Sequence, residues 1–224
     1  MELAHVWPAA ELRLRHDDLV LRPATDADAL LIAEWIPDLL PTEQQHFMPH
    51  LFTNMRADTP EEMARLELQH QWRQRANMKP DAWGLSFTIV ADGEPIGLQG
   101  MQASGFSVLR TVASGSFIVP DRRGRGVGTK ARAMMLELSF AQLGALAAES
   151  GYMDGNDASR LVSERLGYLP NGVAFQQYDG ERFRENKVLL EAQRWAITRP
   201  SWLDDMEAVG IDPLLDQLGL AAPV

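Results

Sequence analysis

The densest run of chemistry-bearing residues is Asp121-Arg122-Arg123-Gly124-Arg125-Gly126-Val127-Gly128-Thr129. Three alternating glycines let a backbone turn sharply and approach a ligand closely. A strand is predicted just before the run, at Thr111 to Val119, ending at Pro120. A helix is predicted just after it, from about Gly126 to Leu143, because Val127, Ala131, Met134, Leu138 and Ala141 recur at helical spacing. The first turn of that helix offers unpaired N–H groups at the positive end of its dipole. Loop and helix start together make an anion site that suits a pyrophosphate. Charge agrees. Between Asp121 and Arg132 stand five basic side chains (Arg122, Arg123, Arg125, Lys130, Arg132) and one acid, in a chain of formal net charge −10.

Two other phosphate motifs fail on order. A Walker loop needs Gly-Lys followed by Ser or Thr, and here Gly128 is followed by Thr129 and only then by Lys130. A dinucleotide fingerprint needs Gly-x-Gly-x-x-Gly, and the glycines at 124, 126 and 128 misplace the third. ATP and NAD are therefore disfavoured as ligands.

The elements that must carry this loop can be read on either side of it. Leu19 to Arg22 alternates as a short strand, and Thr25 caps a helix with Asp26 and Asp28 in its first turn. Pro41 to Asn54 has no clear period. Thr59-Pro60-Glu61-Glu62 starts a helix that runs to about Asn77. Trp83 to Ala91 and Ile96 to Gln102 form a hairpin around Asp92-Gly93. Ala145 to Tyr152 reads as a buried strand and Asn156 to Leu166 as a helix ending at Gly167. A second hairpin turns at Asp179-Gly180, and the tail holds short helical pieces near Trp202–Val209 and Pro213–Leu218. The order β-α-α-β-β-β-α-β-α-β-β predicts an α+β, layered fold, with a mixed, mostly antiparallel sheet flanked by helices.

The spacing Arg123-Gly124-Arg125-Gly126-Val127-Gly128 resembles the coenzyme A pyrophosphate loop of GNAT acetyltransferases. Gly115-Ser116-Phe117-Ile118-Val119-Pro120 resembles that family's fourth strand. Asn156-Asp157-Ala158-Ser159 with Ser163-Glu164-Arg165-Leu166-Gly167-Tyr168 resembles its Asn-x-x-Ser-x4-Glu-Arg-x-Gly-Tyr segment, and Leu19 to Thr25 its first strand and helix cap. The combination is similar to the RimJ and RimL branch. The resemblance implies acetyl-coenzyme A as donor, held at the pyrophosphate by the N–H groups of Arg123, Gly124, Arg125, Gly126, Val127, Gly128 and Thr129. It implies that the backbone of Phe117, Ile118 and Val119 holds the pantetheine arm, that Asn156 and Ser159 serve its thiol end, and that the thioester lies in a gap between the family's fourth and fifth strands. The expected division is an extension at 1–18, the acetyltransferase domain at 19–192, and a C-terminal extension at 193–224 that docks on the body or on a second subunit of a homodimer.

The implied reaction is attack of an amine on the thioester. An alkylammonium has a pKa near 10, so a proton must be removed. Many relatives carry a glutamate early on the fourth strand, where this chain has Ala113 and Ser114, and a tyrosine four residues before the final glycine, where it has Ser163. The candidates that remain are Ser114, Ser116 and Ser163, as positioners of water or thiolate, and Glu149, with His46 and His50 behind them as bland loop histidines. Trp72, Trp83, Trp195 and Trp202 are read as core, and the Glu61–Glu67 acids as a solvated helix face. The missing proton-handling groups also motivate a non-catalytic acyl-coenzyme A sensor as the alternative.

Composition narrows the rest. With no cysteine, thiolate metal sites and cysteine nucleophiles are excluded, and no metal is expected. Strong acidity opposes binding to nucleic acid and suits a cationic acceptor, either a small amine or a protein N-terminus. Met1 to Ala10 has neither a basic start nor an apolar run, and no stretch approaches the roughly 20 apolar residues of a membrane span. No membrane partner and a cytoplasmic location are expected.

Overall fold

The computed structural model describes residues 1–54 and 56–220. In chain order the helices are α1 (Leu3–Val6), α2 (Asp26–Trp35), α3 (Pro49–Asn54), α4 (Pro60–Ala76), α5 (Phe106–Leu109), α6 (Val127–Glu137), α7 (Asp157–Arg165), α8 (Ala192–Thr198) and α9 (Ile211–Leu218). The strands are β1 (Arg13–His16), β2 (Leu19–Pro23), β3 (Ala82–Ala91), β4 (Glu94–Ser104), β5 (Thr111–Ile118), β6 (Ala147–Met153), β7 (Leu169–Tyr178), β8 (Glu181–Glu191) and β9 (Glu207–Val209). All nine strands join one sheet in the order β7-β8-β6-β5-β4-β3-β2-β1-β9. Only β5 and β6 are parallel, and α6 is the crossover between them. The mixed, mostly antiparallel fold expected from the sequence is the observed one.

Local chemistry explains the elements that frame the sheet. Both central residues of the β3–β4 turn, Asp92 and Gly93, have positive φ, as do Asp179 and Gly180 between β7 and β8. This is the mirror-image turn that matches strand twist. Helix α2 begins with a full capping box in which Thr25 and Asp28 each accept from the other's backbone N–H. Arg22 closes on the same carboxylate through two bonds of 2.5 and 2.8 Å. Helix α4 is capped by the Thr59 side chain with Pro60 in its first position.

Two apolar layers cover the sheet. On one face, Ala131, Met134, Met135 and Leu138 of the α6 segment pack on Leu85, Phe87, Met101 and Val112, with Leu214 and Leu218 of α9 in the same cluster. On the other, Ile32, Ile36, Leu39 and Phe52 meet Phe117, with Met63 and Leu66 of α4 packed against them.

Several expectations need correction. Strands β1 and β9 were not foreseen. Each is three or four residues long, and charged residues dilute their alternation. The stretch 42–54, which has no period, folds as a 3₁₀ turn (Thr42–Phe47) and helix α3. The piece expected to be helical from Trp202 to Val209 is a 3₁₀ turn (Ser201–Asp205) followed by β9. Trp72 is exposed, its indole N–H donating to Asp26 across 3.2 Å. Glu67, expected in solvent, is only 2 % exposed. The expected extension at 193–224 runs four residues beyond those described. Within them, Gln217 accepts from the Ala9 N–H at 2.9 Å, tying the tail to the chain start.

Candidate functional site

The glycine-rich loop leaves β5 through a 3₁₀ turn (Pro120–Arg122) and enters α6 at Gly126. Gly124 and Gly126 have φ of 75° and 80°, a region that penalises any residue with a Cβ. A Cβ at either would meet nothing within 4 Å, so the front of the loop is open. The N–H groups of Gly124 to Gly128 find no acceptor among the described residues. Five donors around a helix start, facing open space, fit a diphosphate.

The arginines brace this loop more than they project from it. Arg123 donates to the Ile118 carbonyl at 2.7 Å and the Leu39 carbonyl at 2.6 Å, and its partial burial lowers its pKa. Arg122 pairs with Glu94 at 2.5 Å, and Arg125 reaches the Asp121 carbonyl at 3.3 Å. Arg132 is not a loop cation at all: it is 3 % exposed, inside the α6 face of the sheet.

Beside the loop the sheet splits. Pairing between β5 and β6 covers only Thr111↔Ala147, Val112↔Ala148 and Ala113↔Glu149. Past that point β5 remains paired to β4 as far as Ile118, and β6 to β8 as far as Met153. Residues 114–118 and 150–153 therefore border an open wedge, along which the Ser114 and Ile118 carbonyls accept from Ser150 Oγ and Arg123 in place of a neighbouring strand. The register sets the side chains. Phe117 turns to the α2 face, against Trp35, with ring centroids 6.4 Å apart. Ile118 and Val119 pack into the opposite core. Contrary to expectation, the Phe117 and Val119 backbones face β4: the Phe117 carbonyl lies against Gly97, and the Val119 N–H and carbonyl are bonded to the Ile96 carbonyl and the Arg122 N–H, so it is the Ile118 backbone that faces the wedge.

The remaining expected residues are spread around the wedge. Ser116 turns to the α6 face, where its Oγ accepts from Arg132 at 2.9 Å. Asn156 caps α7, its Oδ1 accepting from the Ser159 N–H at 3.1 Å. Ser163 is buried and donates to the Ser159 carbonyl at 3.1 Å. Glu149 is exposed and lines a cavity of about 810 Å³ together with His70, Gln74, Trp83, Gln102 and Ala113. His46 lies outside that lining, stacked 4.3 Å from Phe183, and His50 is exposed.

The cavity contains groups that the sequence reading missed. His70 Nε2 lies 3.0 Å from Gln74 Nε2, and Gln74 Oε1 accepts from Ser86 Oγ at 2.6 Å. The amide nitrogen therefore donates, and His70 accepts as a neutral imidazole. Burial, then the charge of Arg73, hold its pKa below the usual value. The signal was available: 67, 70, 71 and 74 share one face of α4. The pair Ala113 and Glu149 is both the last rung of the β5–β6 ladder and part of the cavity wall. The wedge and the cavity thus share Ala113 and Glu149.

Residues 18–169 match the acetyltransferase (GNAT) domain family. The chain belongs to the GNAT acetyltransferases. It is an acetyltransferase whose donor is acetyl-coenzyme A. Solved structures share the fold. RimJ of Mycobacterium smegmatis, in complex with a coenzyme A disulfide, is 24 % identical with a TM-score of 0.67, over 89 % of this chain and 95 % of that one. A RimL ribosomal-protein alpha-N-acetyltransferase in complex with coenzyme A is 14 % identical with a TM-score of 0.59, over 78 % and 94 %. A chimera of the Vibrio cholerae spermidine N-acetyltransferase SpeG with hSSAT is 17 % identical with a TM-score of 0.61, over 80 % and 99 %. Among the described residues of this GNAT chain no helix is long and apolar enough to cross a membrane, and no cluster of ligands suits a metal.

Proposed function

We propose that this GNAT enzyme transfers an acetyl group to a primary amine by direct attack on the thioester, with a protein N-terminus or a small amine as acceptor. The observation that carries the proposal is the shared boundary at Ala113 and Glu149, where the open wedge meets the 810 Å³ cavity. A donor lying in the wedge and an acceptor entering by the cavity would meet there.

The residues divide accordingly. The N–H groups of 124–128 hold the diphosphate and the Ile118 backbone, which faces the wedge, holds the arm. The Ile118 backbone N–H polarises the carbonyl. Asn156 keeps its side-chain N–H₂ free for the thiol end while its oxygen caps α7. The C–N bond forms and the C–S bond breaks, its electron pair leaving on sulfur. The acceptor ammonium sheds one proton before attack and the new amide nitrogen sheds another, both to water beside Glu149, whose exposure lets it exchange with solvent. The neutral His70 adds no like charge against an incoming cation.

Thiol release from acetyl-coenzyme A, measured over amino acids, polyamines, aminoglycosides and peptides with free N-termini, tests this. Turnover with at least one primary amine, reduced in Glu149→Gln, is expected. No turnover with any of them, despite coenzyme binding, would refute it.

A further inference from the structure

The wedge has a cation at its apex. Arg132 Nη1 donates to Ser150 Oγ on β6 at 3.1 Å, and Nη2 donates to Ser116 Oγ on β5 at 2.9 Å. Ser150 Oγ in turn donates to the Ser114 carbonyl at 3.2 Å, one step beyond the last backbone rung. One guanidinium thus bridges the two strands where their ladder has stopped.

This cation has no anion. Among the described residues no carboxylate lies within ion-pair distance of it, and the one charge-bearing neighbour is the phenol of Tyr168. Burial pushes that phenol above its usual pKa, so it stays neutral. Arg132 Nε is buried without a hydrogen-bond partner, and the Tyr168 phenol lies within reach of the Ser114 hydroxyl. Among the described residues, neutral serines supply the guanidinium's only hydrogen bonds. Burying an uncompensated guanidinium costs several kcal/mol, and arginine does not escape the cost by losing its proton. Such a site is built to receive negative charge.

The wedge is the opening the geometry offers such an anion, because Arg132 is 3 % exposed and its α6 neighbours Ala131, Ala133, Met134, Met135 and Leu136 are buried. Ser116 points the way. Its oxygen accepts from Arg132, and its own O–H donates to no acceptor among the described residues. A hydroxyl polarised by a cation behind it is a stronger donor in front.

We infer that Arg132, acting through the Ser116 hydroxyl, is a positioning and charge-stabilising residue for the thiolate that leaves when the C–S bond breaks. This rests on the reading of the wedge as the donor slot. Arg132 transfers no proton. The sulfur keeps the electron pair of the broken bond, and the cation lowers the energy of that anion until solvent protonates it. The arrangement answers an absence at Ser163, whose hydroxyl is committed to the Ser159 carbonyl.

Calorimetry with coenzyme A and desulfo-coenzyme A separates the sulfur's contribution from the rest of the molecule, without turnover. In the wild-type protein the preference for coenzyme A over the desulfo compound should grow roughly five- to tenfold between pH 6.5 and pH 9. That is the consequence of lowering a bound thiol's pKa by about one unit. Tyr168 is the titratable group facing Arg132; β5 and β6 contribute serines, and β4 contributes Gln99, the register partner of Ser116. In Arg132→Met the preference should be flat with pH, while the melting temperature stays or rises, since an apolar replacement removes an unpaired charge. Arg132→Lys should keep part of the preference and Ser116→Ala should lose most of it, which carries the test if Arg132→Met does not fold. A pH-dependent preference that persists in Arg132→Met or Ser116→Ala overturns the inference, as does its absence in a wild type that binds both compounds. A wild type that binds neither compound overturns the donor-slot reading itself.

Discussion

Replacing Glu67 by Gln should stabilise the protein at high pH and do almost nothing at low pH. Glu67 lies on the inner face of α4, 2 % exposed, with Gln71 donating to its Oε1 at 2.7 Å. Desolvation raises its pKa from an ordinary 4.5 to about 7, against the opposing pull of Gln71. The sign follows from proton counting. Below pH 4.5 the carboxyl is protonated in both states and costs nothing. Between 4.5 and 7 the folded chain holds a proton that the unfolded chain has released, so stability falls as pH rises. Above pH 7 the loss levels off. At about 1.4 kcal/mol per pH unit, a window of this width is worth roughly 3 kcal/mol. Glutamine keeps the shape and the bond to Gln71 but cannot ionise. Glu67→Gln should therefore gain under about 1 kcal/mol at pH 5 and about 3 kcal/mol at pH 8. At roughly 2–4 °C per kcal/mol for a chain of this size, the gap in melting temperature at pH 8 is about 6–12 °C. Thermal melts followed by circular dichroism from pH 5 to 8.5, wild type beside variant, read it directly. A gap that does not change with pH would refute the reasoning.

Other outcomes follow from single contacts. Gly97→Ala would drive its Cβ into the Phe117 carbonyl oxygen and against the Ile118 Cα, both backbone, and the Ile118 Cδ1. It should cost about 1–3 kcal/mol in urea melts and also weaken coenzyme A binding, because β5 must shift at the wedge. Asp28→Asn removes the ionic half of a buried pair with Arg22; burial works against the charge, yet Arg22 and Thr25 hold its pKa below the usual carboxylate range. A loss of about 3–5 kcal/mol is expected, and acid titration should show a correspondingly smaller drop in stability in the variant. Leu218→Ala, at a fully buried position of α9, should cost about 2–5 kcal/mol in the same urea melts. A negligible loss there would mean that the tail does not dock on the core.

How much of this was legible depended on how local the cause was. The loop at 121–129, the caps Thr25 and Thr59, and both Asp-Gly turns are written in adjacent residues, and each was read from them. The helix after the loop ends at Gln142, beside the expected Leu143, but its last turn is a π turn at Leu138–Gln142, where Ser139 bonds back to the Met135 carbonyl at 2.8 Å. Strands β1 and β9 exist only because each pairs with the other and β1 with β2. Such short strands have no local signature strong enough to announce them. Glu67 and Arg132 share one lesson. Charge composition placed both in solvent or at the phosphate loop, while helical phase placed them inside, and phase won. The site followed the same division. The glycine loop and Asn156 are proposed from pattern, whereas His70, Gln74 and the apex arginine depend on which face of a helix meets which strand.

The central claim is that the amides of 124–128 cradle the diphosphate of coenzyme A. Titrating the purified protein with coenzyme A by calorimetry tests it most directly, with Gly126→Asp as the comparison, since that substitution combines a strained φ with a carboxylate at the open front of the loop. The account predicts saturable one-to-one binding by the wild type and its loss in a Gly126→Asp protein that still melts cooperatively. No heat of binding from the wild type, or equal affinity in the variant, would contradict it.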